Sequence, residues 1–111
     1  MRIEKQTLGE MVLLKVSGSI SFNDTSTLKS LLHRLAHEGK KKIIVDCQEM
    51  DSINSQALAT FLSAYKAVKD GVIVFANVNP HVERVFRSTH LDTMFPLYET
   101  VQAAVEAIKP A

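Results

Sequence analysis

No internal disulfide is possible in this chain, because Cys47 is its only cysteine. That fits a reducing compartment, and a cytoplasmic location is expected. Cys47 ends the apolar run KIIVDC (42–47), where a small buried hydrophobe suits the surroundings better than a nucleophile does. Glycine is scarce and never clustered, at positions 9, 18, 39 and 71, which excludes a P-loop or a dinucleotide fingerprint. No window approaches the roughly 18 uninterrupted apolar residues of a membrane span, and the opening MRIEKQTLGE lacks the apolar core of a signal peptide. No membrane insertion is therefore expected. Neither sign of charge dominates: the net charge is +1, which does not mark a nucleic-acid binder. Lys40-Lys41-Lys42 is the only basic cluster, and its place between a predicted helix and a predicted strand reads as a solvated turn.

What is present is ordinary globular chemistry, with 46% apolar and 23% charged residues in 111, enough for a single domain over 1–111. Residues 11–17 (MVLLKVS), 42–47 and 72–76 (VIVFA) read as strands, and such nearly continuous apolar runs suit strands covered on both faces. RIEKQT alternates and is expected to pair with 11–17 across the LGE turn; a short last strand is expected around 94–97. Leu28, Leu31, Leu32 and Leu35 repeat at helical spacing, with Asn23 or Asp24 as the start and Gly39 as the stop. Leu58, Phe61, Leu62 and Tyr65 repeat it again, with Val68 extending the stripe and Gly71 closing it. Asn79-Pro80 is a helix start, followed by the apolar Val82, Val85 and Phe86. Val101, Ala104, Val105 and Ile108 predict a final helix ending near Pro110. The order is β-β-α-β-α-β-α-(β)-α, an α/β fold with a mixed, mostly parallel sheet of four to five strands.

Enzymatic readings find little support. His33 and His37 stand at i, i+4 and could share a helix face as metal ligands, but their helix buries its leucines and no third ligand is in view. A solvated face is the reading. His81 and His90 have no partnered Ser or Cys in sequence reach. No acid–base pair, nucleophile constellation or cofactor loop is found, so catalytic residues, cofactor and metal are all expected to be absent. The stretch DSINSQALATFL (51–62) is the remaining candidate, a strand-to-helix turn crowded with Ser52, Asn54, Ser55 and Gln56. Asn54 or Ser55 can cap the helix there. The same helix end, with unpaired N–H groups and partial positive charge, tolerates a phosphate on Ser55 that adds about −1.5 to −2 charges to the surface.

The segments LLKVSGSISFNDTSTLKSLL, KKIIVDCQEMDSINSQALATFLSAYKAVKDG and VIVFANVNPHVERVFRSTHLDTMFPLYETVQAAVEAI, in this order, resemble the STAS domain of bacterial anti-sigma factor antagonists over residues 8–108. The resemblance implies the STAS fold and a regulatory binding module. Its phospho-acceptor motif, hydrophobic-Asp-Ser-Ser/Thr-Gly-Leu, falls on Ile53-Asn54-Ser55-Gln56-Ala57-Leu58 and places Ser55 at the acceptor. Asn54 stands where most members carry Asp, Gln56 replaces the second hydroxyl residue, Ala57 replaces Gly, and Ser21 stands where many members have Asp. The implied partners are an anti-sigma factor serine/threonine kinase and its cognate phosphatase. Contact is expected through Ser21, Phe22, Asn23, Asp51, Ser52, Asn54, Ser55 and Gln56, on a monomer or weak dimer. Phe22 lies outside the leucine stripe, as an exposed anchor or a partly buried loop aromatic. The alternative is a STAS scaffold that is never phosphorylated, in a stress-signalling assembly or as the cytoplasmic subunit of a lipid-transport ATPase.

Overall fold

A computed structural model describes residues 1–68 and 70–109. The element order matches the sequence pattern with one strand added. β1 (Arg2–Leu8) pairs antiparallel with β2 (Met11–Ser19), in a register running from Leu8 opposite Met11 to Arg2 opposite Ser17. β3 (Lys42–Asp46) and β5 (Val72–Ala76) continue the sheet in parallel, and β6 (Leu97–Tyr98) ends it, giving the order β1-β2-β3-β5-β6. The helices are α1 (Thr25–His37), α2 (Ser55–Ala67), α3 (Pro80–Ser88) and α4 (Val101–Ile108). No helix among the described residues is long and apolar enough to cross a membrane.

Strand pleating explains the unbroken apolar runs. Ile43 and Val45 join one core with Leu28, Leu32 and Leu35 of α1, Leu58 and Phe61 of α2, and Val82 and Phe86 of α3. Ile44 and Val74, pointing the other way, pack in a second cluster with Ala104 of α4. The central strands are thus covered on both sides, which is what apolar residues at successive positions require. Phe75 is the hub of the larger core, meeting Phe61, Phe86 and Phe95 edge-on at ring separations of 5.1, 4.7 and 5.5 Å. Each such pair contributes about 0.5–1.5 kcal/mol beyond its buried area.

Turn chemistry sets the helix ends. Gly39 takes φ +77° after α1, and the Lys40 and Gly39 N–H groups bond back to the Leu35 and Ala36 carbonyls, closing a Schellman motif. Gly71 serves packing instead: a Cβ there would sit 3.0 Å from the Val68 Cβ. Several expectations need correction. Val68 does not extend the α2 stripe as helix; it is already extended backbone, and α2 ends at Ala67. The last strand lies at 97–98, not 94–97, because Leu91–Thr93 form a 3₁₀ turn that carries the Met94 and Phe95 N–H groups onto the Leu91 carbonyl. The sheet has six strands, since Met50–Ser52 form a further short strand, β4, parallel to β2. Pro110, expected to stop α4, lies outside the described residues.

Cys47 is buried, and its thiol lies 3.7 Å from the Val45 carbonyl oxygen. Burial, helped by the neighbouring Asp46 carboxylate, pushes the thiol up to about 12 from an ordinary 9.0. A pKa raised in the folded state favours folding fully below the unfolded value and loses that contribution as pH rises through the folded one. The stability advantage of wild type over Cys47→Ala, measured by urea unfolding, should therefore shrink as pH rises from 9.0 toward about 12. A gap that stays constant over that range would contradict the buried, neutral thiol.

Candidate functional site

The face at the carboxyl ends of the parallel strands is assembled by asparagine amides. Asn54 precedes α2 in extended backbone, and its Oδ1 accepts the Ala57 N–H at 2.8 Å. The other end of the same amide, Nδ2, donates to the Ile20 carbonyl at 3.2 Å. One side chain therefore caps α2 and ties it to the end of β2. Asn79 repeats the device: Oδ1 accepts from the Val82 N–H at 2.8 Å, and Nδ2 donates to the Met50 carbonyl of β4 at 2.9 Å. Asn77, at φ +57°, donates through Nδ2 to the largely buried Asp46 carboxylate at 3.0 Å. Aspartates at positions 54 and 79 would cap equally well but have no N–H to give the carbonyls.

This lattice leaves Ser55 free. It occupies the first position of α2, is exposed, and its hydroxyl finds no hydrogen-bond partner among the described residues. The Ala57 and Leu58 N–H groups are taken by Asn54, through its side chain and its carbonyl. Ser21 differs. Its N–H and Oγ both donate to Asp24 Oδ2, at 2.8 and 2.9 Å, so this hydroxyl is already engaged. These bonds, the backbone N–H of Ser21 first, hold the Asp24 carboxyl below its usual range. Asp24 therefore does not cap α1 with its side chain, nor does Asn23. The carboxylate turns back to Ser21, and a 3₁₀ turn over Phe22–Asp24 leads into the helix.

Of the remaining candidates, Phe22 is exposed over 67% of its surface, so the exposed alternative holds. Asn23, Asp51 and Gln56 are exposed; Ser52 and Asn54 are half-buried. Asp51 and Ser52 belong to β4 and not to a loop, because the Ser52 carbonyl accepts the Ile20 N–H at 3.3 Å. The Ile20–Ser52 and Ile20–Asn54 bonds place the Ser21–Asn23 turn beside the start of α2, while Asp51 lies one residue along the same short strand.

Glu49, absent from the sequence-based candidates, buttresses this end of the sheet. Its carboxylate accepts from Ser17 Oγ at 3.2 Å and pairs with Lys15 at 3.6 Å, and its carbonyl accepts the Gly18 N–H at 2.8 Å. Asn77 and Asp46 are likewise absent from the sequence-based candidates, and of Asn79 the Asn79-Pro80 signal showed the cap of α3 but not the bond to Met50.

No Lys or Arg occurs between Lys15 and Lys29 or between Lys42 and Lys66, whereas those intervals hold Asp24, Asp46, Glu49 and Asp51. Two of the carboxylates near this face have cation partners from outside those intervals: Glu49 pairs with Lys15, and Asp24 lies 3.7 Å from the Met1 ammonium. His33 and His37 lie exposed on α1, away from this constellation, and no group of three or more potential metal ligands occurs among the described residues.

Residues 2–104 match the family model of the STAS domain, and the chain belongs to that family. A relative from Bordetella bronchiseptica, BtrV, assigned to the anti-sigma factor antagonists, is 24% identical over 100% of this chain and 97% of its own. An anti-sigma factor antagonist from Mycobacterium paratuberculosis superposes with a TM-score of 0.88 at 20% identity, covering 98% of this chain and 94% of that one. The Bacillus cell fate determinant SpoIIAA in its phosphorylated form superposes with a TM-score of 0.75 at 16% identity, over 97% and 100% of the two chains.

The double use of Asn54 makes a graded prediction for urea unfolding. Asn54→Ala should cost about 1–2 kcal/mol, for the lost cap and the orphaned Ile20 carbonyl. Asn54→Asp should fall between Ala and wild type, keeping the cap and losing the bond to Ile20. An Asp variant as stable as wild type would mean that the second bond contributes nothing.

Proposed function

We propose that the chain is an anti-sigma factor antagonist, a binding module and not an enzyme, switched by phosphorylation of Ser55. The observation that carries this reading is the free, exposed Ser55 hydroxyl beside the engaged hydroxyl of Ser21. Unmodified, the Ser21–Asn23 turn, β4 and the first turn of α2 dock onto an anti-sigma factor with serine kinase activity, and docking releases a bound sigma factor. The exposed Phe22 supplies an apolar anchor of the kind that concentrates binding energy.

The partner kinase transfers the γ-phosphoryl group of ATP to Ser55 Oγ: an O–P bond forms, ADP leaves, and the hydroxyl proton passes to a base of the kinase. The product carries about −1.5 to −2 charges. No Lys or Arg of the adjoining segments 16–28 and 43–65 is there to neutralise them, because those segments contain none. The charge therefore adds to that of the exposed Asp51 and repels a partner surface built for the unmodified face. The fold itself tolerates the phosphate, since the helix end favours negative charge. A cognate phosphatase resets the switch. The phosphorylated SpoIIAA among the fold neighbours and the assignment of BtrV support this reading.

Incubation with the cognate kinase and ATP should place one phosphate on Ser55, as mapped by mass spectrometry. Ser55→Asp should weaken partner affinity about tenfold or more, roughly 1.4 kcal/mol, while Ser55→Ala leaves it near wild type. Binding without any label on Ser55, with both variants equal, would leave a constitutive scaffold in place of a switch.

A further inference from the structure

The two histidines of α1 lie far from the Ser55 constellation and have no part in its chemistry. His33 and His37 are both exposed, four residues apart on one helix, and both line a single hollow between α1 and α2. The rest of that hollow is Leu32, Ala36, Ala64 and Ala67, small or apolar side chains that neither compete for the imidazoles nor fill the space over them. Helical residues at i, i+4 hold their Cβ atoms about 5–6 Å apart, which lets two imidazole nitrogens reach one ion at roughly 2.0–2.1 Å.

We propose that His33 and His37 form a two-nitrogen chelate for a divalent first-row transition-metal ion. Imidazole donors and the Irving–Williams order make Cu²⁺ the tightest-bound of these ions. The absence of a third His, Cys, Asp or Glu in the group, among the described residues, leaves the other coordination positions to water. The site is thus open and exchangeable, unlike a closed structural centre. The fold does not depend on it, because the core is complete without either ring.

Titration of the purified full chain with Cu²⁺, followed by electron paramagnetic resonance, tests the assignment. One equivalent should give a spectrum with two imidazole nitrogens coupled to the copper. His33→Gln and His37→Gln should each weaken binding about tenfold or more, since losing a ligand costs at least as much as losing a ligand's supporting partner. His81→Gln, on the exposed start of α3, should leave affinity unchanged, and circular dichroism should match wild type in all three variants. No binding by wild type, affinity that survives either α1 substitution, or a single coupled nitrogen would overturn the proposal.

Discussion

The amide of Asn54 is the contact on which the candidate site depends. A helix start leaves backbone N–H groups unpaired, and the end of a neighbouring strand leaves a carbonyl unpaired. Asn54 answers both needs with one rigid planar group, accepting from Ala57 and donating to Ile20. The direction of α2 and the position of the Ser21–Asn23 turn become one geometric fact. Because capping is done by the residue before it, Ser55 has no structural duty, and its hydroxyl is left to solvent.

That division of labour continues through the molecule. The aromatic hub around Phe75 and the two-sided burial of β3 and β5 supply cohesion, with no polar group from the Ser55 turn recruited into the core. Asn79 anchors Met50 of β4 to α3, and the Ile20 N–H, donating to the Ser52 carbonyl, holds the other end of that strand. A rigid platform carrying an idle hydroxyl and an exposed phenylalanine suits recognition, since little ordering entropy is lost on docking. On the proposed reading, the same rigidity confines the effect of an added phosphate to the docking surface.

Much of the architecture was legible in the sequence because the central strands and the leucine stripes carry strong periodicity. Residues 72–76 form β5 with the expected bounds, and Asn79-Pro80 opens α3 as its capping signal implies. What escaped was short or long-range. β4 has three residues and no apolar alternation, and it exists because Gly18 and Ser19 at the end of β2 offer backbone partners. Asp24 looked like a helix cap; its carboxylate is claimed by Ser21, a local contest that residue type alone does not decide. The capping half of Asn54 was readable from its position, whereas the bond to Ile20, 34 residues away in sequence, required the fold. Exposure of Ser55 follows from the same bond.

On the proposed reading, phosphate on Ser55 changes what the surface presents while leaving the platform as it was. Two-dimensional amide NMR of the fully phosphorylated protein beside the unmodified protein tests this most directly. The account predicts shifted resonances confined to residues 20–24 and 51–58, with β3, β5 and the Phe75 cluster unmoved. Shifts spreading through β3 and β5, or loss of dispersion across the core, would contradict it.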